Sequence, residues 1–178
     1  MVPTQTRQAF EAMLLDEMPA LWRFARRLER DRVRAEDLLQ QAIVKALARS
    51  HQLQDPGAFR TWMMRVIHNT FLNQRARKEA RTPHTSLDNV LALPSSRRGP
   101  EHRADATLLG DRIAAAVERL PRHQREVLQL VDGEGMSYEE ASAILGIPKG
   151  TAASRVARAR ATLRSRLRDV ARERGVVG

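Results

Sequence analysis

The stretch Ser137–Arg160, SYEEASAILGIPKGTAASRVARAR, decides the reading of the fold. Ser137 followed three residues later by Glu140 is a capping box, in which serine and glutamate each satisfy the other's first-turn N–H, so a helix starts there. Ala141, Ile144 and Leu145 share one face of that helix, and Gly146 supplies a residue tolerant of positive φ at its end. Pro148 and Gly150 punctuate the chain before a second helix, where Val156, Ala159, Leu163, Leu167 and Val170 recur at helical spacing. Its other face carries Ser154, Arg155, Arg158 and Thr162. A short helix, a glycine turn and a longer helix with a basic outer face is the layout of a helix-turn-helix. Two amphipathic helices around a glycine also occur in helical domains that bind nothing. The stretch alone leaves both readings open.

Working outward, the 178-residue chain carries 31 Lys and Arg against 21 Asp and Glu, with a pI near 11.4, which points to an anionic partner. The charge is split: residues 1–81 hold 15 basic and 9 acidic side chains, residues 82–106 hold 3 and 3, and residues 107–178 hold 13 and 9. Two basic segments around a neutral one imply two separate anionic contacts. With no cysteine, disulfides and thiolate zinc sites are excluded, which suits a reducing, cytoplasmic setting. The sequence shows neither a bilayer-spanning apolar run nor a signal pattern, so no membrane contact of its own is expected.

The periodicity predicts an all-α fold of two small domains. Residues 7–30 read as helix, with Phe10, Met13, Leu14, Leu21, Phe24, Ala25 and Leu28 apolar and a kink or restart expected at Pro19. Asp31 is the expected N-cap of a second helix that runs to about Arg49. Asp55-Pro56 starts a third, burying Phe59, Trp62, Met63, Val66, Ile67 and Phe71, and ending in a polar, basic run. Residues 1–81 thus form a three-to-four-helix bundle. Residues 82–106 lose helical periodicity and gain Pro, Ser and Gly, the composition of a flexible linker, with an apolar patch at Val90, Leu91 and Leu93. From about Thr107, two helices separated by Pro121 precede the opening stretch, the second ending near Gly133. They complete a four-helix domain over 107–178.

Catalytic chemistry finds little support. His51, His68, His84, His102 and His123 show no metal-binding spacing, and Glu36-Asp37 and Glu139-Glu140 are adjacent pairs that diverge on a helix. No catalytic residue, metal or cofactor is expected. Nucleic-acid chemistry has two candidate surfaces. Lys149, Thr151, Ser154, Arg155 and Arg158 lie at the start of the second helix of the opening stretch, where side chains reach base edges. Arg65, His68, Asn69 and Asn73, with Trp62 and Phe71 nearby, combine groups that hold unpaired strands, although Trp62 reads better as core.

RAEDLLQQ (Arg34–Gln41), TWMMRVIHN (Thr61–Asn69), LPRHQREVLQL (Leu120–Leu130) and the opening stretch, in that order, resemble the extracytoplasmic-function sigma factors of bacterial RNA polymerase. The resemblance implies that Asp37, Leu38, Gln40 and Gln41 grip core RNA polymerase and that Arg65, His68, Asn69 and Asn73 read the minus-ten promoter element. The loop His51–Gly57 would capture a flipped base, and the helix-turn-helix would read the minus-thirty-five element. It further implies an anti-sigma partner and a stress or environmental role. The chain departs from the family's habits at Arg34, Asn73, Ala152 and Ala153. The main rival is a stand-alone helix-turn-helix regulator binding operator DNA as a dimer, which has no use for the bundle at 1–81; another is a helical interaction protein or adaptor that binds no nucleic acid.

Overall fold

A computed structural model describes residues 4–81 and 104–173, and all regular structure among them is helical. The helices are α1 Thr4–Leu28, α2 Arg32–Ala48, α3 Phe59–Arg81, α4 Ala104–Glu118, α5 Arg122–Leu128, α6 Tyr138–Leu145 and α7 Lys149–Glu173. By packing, one compact unit contains α1, α2, α3 and the Met136–Lys149 segment with α6; the other contains α4, α5 and α7 from Gly150 onward. Most of the predicted linker, including Val90, Leu91 and Leu93, lies outside the described residues.

In the first unit α1, α2 and α3 pack on one another and bury Leu21, Leu38, Met63, Met64 and Ile67 completely. Each such side chain contributes roughly 1.5–3 kcal/mol. Phe10 meets Phe59 edge-on at 5.3 Å between centroids and Trp62 at 6.4 Å, so Trp62 closes the rim of the core as a partly covered ring. Asp31 caps α2, its carboxylate accepting from the Arg34 amide at 2.9 Å, as expected. At Asp55 the carboxylate accepts from the Gly57 amide at 2.8 Å and opens a single 3-10 turn, Pro56–Ala58, from which α3 continues. The loop before it contains another 3-10 turn, Ser50–Gln52.

One local expectation changes. Pro19 neither ends nor restarts α1, which runs through it. The buried residues Phe10, Ala20, Leu21, Phe24 and Ala25 lie on both sides of the proline, and their packing outweighs the one missing donor. The expected stop near Gly133 stands, and α5 reaches it through a π-helical turn, Gln129–Gly133. That turn accommodates an extra residue while keeping Val127, Leu128 and Leu130 buried, and it exposes Asp132.

The packing of α6 follows from its sequence. Ser137 and Glu140 form the full capping box: the Ser137 amide and hydroxyl both donate to Glu140 Oε2, at 2.9 and 2.8 Å, and the Glu140 amide donates back at 3.2 Å. Gly146 ends the helix at φ 66°, with the Ile147 amide donating to the Ser142 carbonyl at 3.1 Å. Between these caps Ala141 and Ile144 are buried, and α6 packs on α3, where the Thr61 hydroxyl donates to Glu140 Oε1 at 3.1 Å.

Candidate nucleic-acid interface

Helix α7 sorts its basic residues into two kinds. Ala152, Val156 and Ala159 are fully buried and fix which face is inward. Arg160 reaches the π-turn, where its guanidinium pairs with both carboxylate oxygens of Asp132 at 2.5 and 3.1 Å, and Arg166 donates to the Ala116 carbonyl at 3.3 Å. These two arginines hold the helix. Arg155 and Arg158, by contrast, make no hydrogen bond or ion pair with their side chains among the described residues. Three residues apart on one helix, they leave two guanidinium forks available at partly to fully exposed positions.

Of the remaining predicted residues of this surface, Ser154 and Lys149 are more engaged. Ser154 donates its hydroxyl to the Thr151 carbonyl at 3.0 Å, a local bond that leaves its acceptor lone pairs outward. Lys149 pairs with Glu139 at 3.0 Å; both side chains are well exposed, so the pair is weak and exchanges readily with an incoming phosphate.

On α3, Arg65, Asn69 and Asn73 are exposed at successive i,i+4 positions and form one stripe. None of the three uses its side chain in a bond among the described residues. The fourth predicted member, His68, is only 4% exposed and sits on the inward side of the helix. Phe71 is buried as well. The stripe offers a guanidinium and two amides, donors and acceptors matched to base edges and phosphates.

On α2 the structure brings Asp37, Gln40 and Gln41 together around a shallow, open groove of about 340 Å³ that Val44 and Lys45 complete. Leu38 points away from it and is fully buried, so it anchors α2 and contributes no surface. The Gln41 amide nitrogen donates to both Asp37 oxygens at 3.0 Å, and its carbonyl accepts from Gln74 of α3 at 3.1 Å. Lys45 donates to Thr70 at 3.3 Å. Gln40 makes no side-chain bond among the described residues. Sequence reasoning missed Gln74, Asp132 and Arg160 as site-building residues, because each acts through a partner 28 or more positions away and only packing reveals the pairing.

Among the described residues no cluster of three or more His, Asp or Glu could hold a metal ion, and no helix is long and apolar enough to cross a membrane. Glu140 carries a clear shift. Hydrogen bonds from the Ser137 amide and hydroxyl, with smaller help from Thr61 and Arg60, hold it below the ordinary glutamate value despite slight burial.

With this geometry in view, the Sigma-70 region 2 family matches residues 13–82 and the Sigma-70 region 4 family matches residues 110–163. The sigma factor EcfG of Rhodopseudomonas palustris is 33% identical over 84% of this chain and 80% of its own length. The chain belongs to the extracytoplasmic-function sigma factors. The sigma factor SigE of Mycolicibacterium smegmatis is 32% identical over 89% of this chain, which spans 62% of that relative's length. A solved sigma factor, RpoE of Bartonella quintana in complex with the anti-sigma factor NepR, superposes with a TM-score of 0.67 at 30% identity, covering 89% of this chain and 96% of that one. Sigma factors are transcription initiation factors and not catalysts themselves. The region 2 match covers the α2 groove and the α3 stripe, and the region 4 match covers Arg155 and Arg158.

Proposed function

We propose that this sigma factor binds core RNA polymerase through the α2 groove and directs it to promoters in the cytoplasm. In this reading Asp37, Gln40 and Gln41 face the polymerase, and Leu38 and His68 shape their helices from beneath. Arg65, Asn69 and Asn73 take the minus-ten element; Lys149, Thr151, Ser154, Arg155 and Arg158, in the segment 107–178, read the minus-thirty-five element as duplex. An anti-sigma factor controls access to these faces, as the Bartonella relative's complex with NepR supports by analogy. The observation that carries the reading is the coincidence of the two family matches with two stripes of exposed donors that the fold leaves unused.

The full chain mixed with core RNA polymerase should co-elute with it and support transcription from a subset of promoters sharing two upstream elements. Co-elution without promoter-specific transcripts would remove the reader assignments. Failure to co-elute at all would remove the function.

A further inference from the structure

We propose that Gln74 of α3 is a positioning residue for the α2 groove, acting through Gln41. The inference rests on the reading of that groove as the polymerase-binding face. The Asp37 carboxylate is acceptor-only when ionised, so the Gln41 group facing it at 3.0 Å to each oxygen must be the NH2. That choice turns the Gln41 carbonyl toward α3, where it needs a donor, and the Gln74 NH2 supplies one at 3.1 Å. The three side chains form a directed chain, Gln74 to Gln41 to Asp37, in which every donor meets an acceptor.

The consequence is a division of labour between two adjacent glutamines. Gln41 has both ends of its amide committed and serves as an internal clasp. Gln40 lines the same groove with its amide uncommitted, so it is the one left to make contact. Held by the clasp, Asp37 keeps its remaining lone pairs available to a donor on the partner. Without Gln74 the Gln41 amide is held from one end only, by Asp37, and fixing its other end again adds to the cost of docking.

The test measures affinity of the full chain for core RNA polymerase, with unfolding midpoints recorded alongside. Gln74→Leu removes the donor, Gln74→Asn is too short to reach, and Gln74→Glu keeps the size but can only accept. All three should weaken polymerase binding by about two- to tenfold, the worth of one ordered hydrogen bond, with unchanged midpoints. In a Gln41→Ala background the same substitutions should have no further effect. Gln74 variants that bind like the unaltered chain while Gln40→Ala binds more weakly would overturn the clasp and leave the groove's role intact. A Gln74 effect that persists in full in the Gln41→Ala background would overturn it too, because Gln74 would then act elsewhere. If the unaltered chain does not bind polymerase, the reading of the groove fails, whatever Gln74 does.

Discussion

The polar face of α2 and the basic face of α7 are built on opposite plans. On α2, Asp37 and Gln41 are tied together and to Gln74 before any partner arrives, and Lys45 leans on Thr70. On α7, the two arginines that matter for structure, Arg160 and Arg166, are engaged in holding the helix, while the side chains of Arg155 and Arg158 make no hydrogen bond or ion pair among the described residues. A pre-tied carboxylate and amide face suits a protein partner of fixed shape, where ordering costs at docking are saved. Unused guanidinium groups suit duplex DNA, where long side chains must adjust to phosphates and base edges and release counterions. The α3 stripe follows the α7 plan, although it shares a unit with α2.

The sharpest way to break this comparison is at α7. Arg155→Ala or Arg158→Ala should cost about 1–3 kcal/mol of promoter discrimination at the upstream element if the side chain is bidentate to a guanine. Transcription from promoter variants, by reconstituted polymerase, measures it. Unchanged preference in both variants would make the free arginines a solvated face and no reader. On α2 the plan predicts a different signature: Gln40→Ala lowers polymerase affinity, by about 0.5–1.5 kcal/mol for one lost hydrogen bond, without altering which promoters are chosen. A shift in promoter choice would merge the two faces functionally.

A third effect concerns the cap of α6. Ser137→Ala should cost about 1 kcal/mol of stability, the usual value of a lost N-cap. Its pH dependence follows from Glu140, whose carboxyl is held below the ordinary value near 4.5 in the folded chain. A depressed folded value means that the stabilisation is present above about pH 4.5 and disappears as pH falls through the folded value. Glu140→Gln should therefore be less stable than the unaltered chain at neutral pH and converge with it in acid. Thermal unfolding at a series of pH values reads this directly; a constant gap down to the acid limit would show that the carboxylate charge is not what stabilises the cap.

Much of this organisation is legible in the sequence because it is local. The Ser137–Glu140 box, the Gly146 stop, the Asp31 cap and the apolar spacing of α1 to α3 each depend on residues within one or two turns; the caps and the stop stand as read, and the spacing holds except that Trp62 and Val66 are only partly covered. The all-α class follows from those periods. The readings that shift are decided by packing. Pro19 reads as a backbone fault until the core on both sides of it is taken into account, and Leu38 and His68 stand in the motif-based site sets although their side chains point inward. Arg65, Asn69 and Asn73 share one exposed stripe because i,i+4 spacing already fixes a common face. The Gln41–Gln74 link joins residues 33 apart, and no periodicity marks it.

The smallest expected effect tests whether the used arginines of α7 differ in kind from the unused ones. Asp132 and Arg160 form a two-pronged pair, but their side chains are 41% and 42% exposed, so solvent screens most of the attraction. Asp132→Ala should cost about 0.2–1 kcal/mol in unfolding experiments. Its more telling consequence is on the helix. Asp132 stands on the π-turn, a segment whose extra residue carries the carboxylate out to meet α7, so the pair fixes α7 to the end of α5. Removing it takes one negative charge from beside Arg160 and should raise nonspecific DNA affinity while leaving base preference at the upstream element nearly unchanged. The swap Asp132→Arg with Arg160→Asp keeps a pair and should return nonspecific binding toward its original level. If Asp132→Ala instead altered base preference as strongly as Arg155→Ala, Arg160 would belong with the readers, and the division between holding and reading arginines on α7 would not stand.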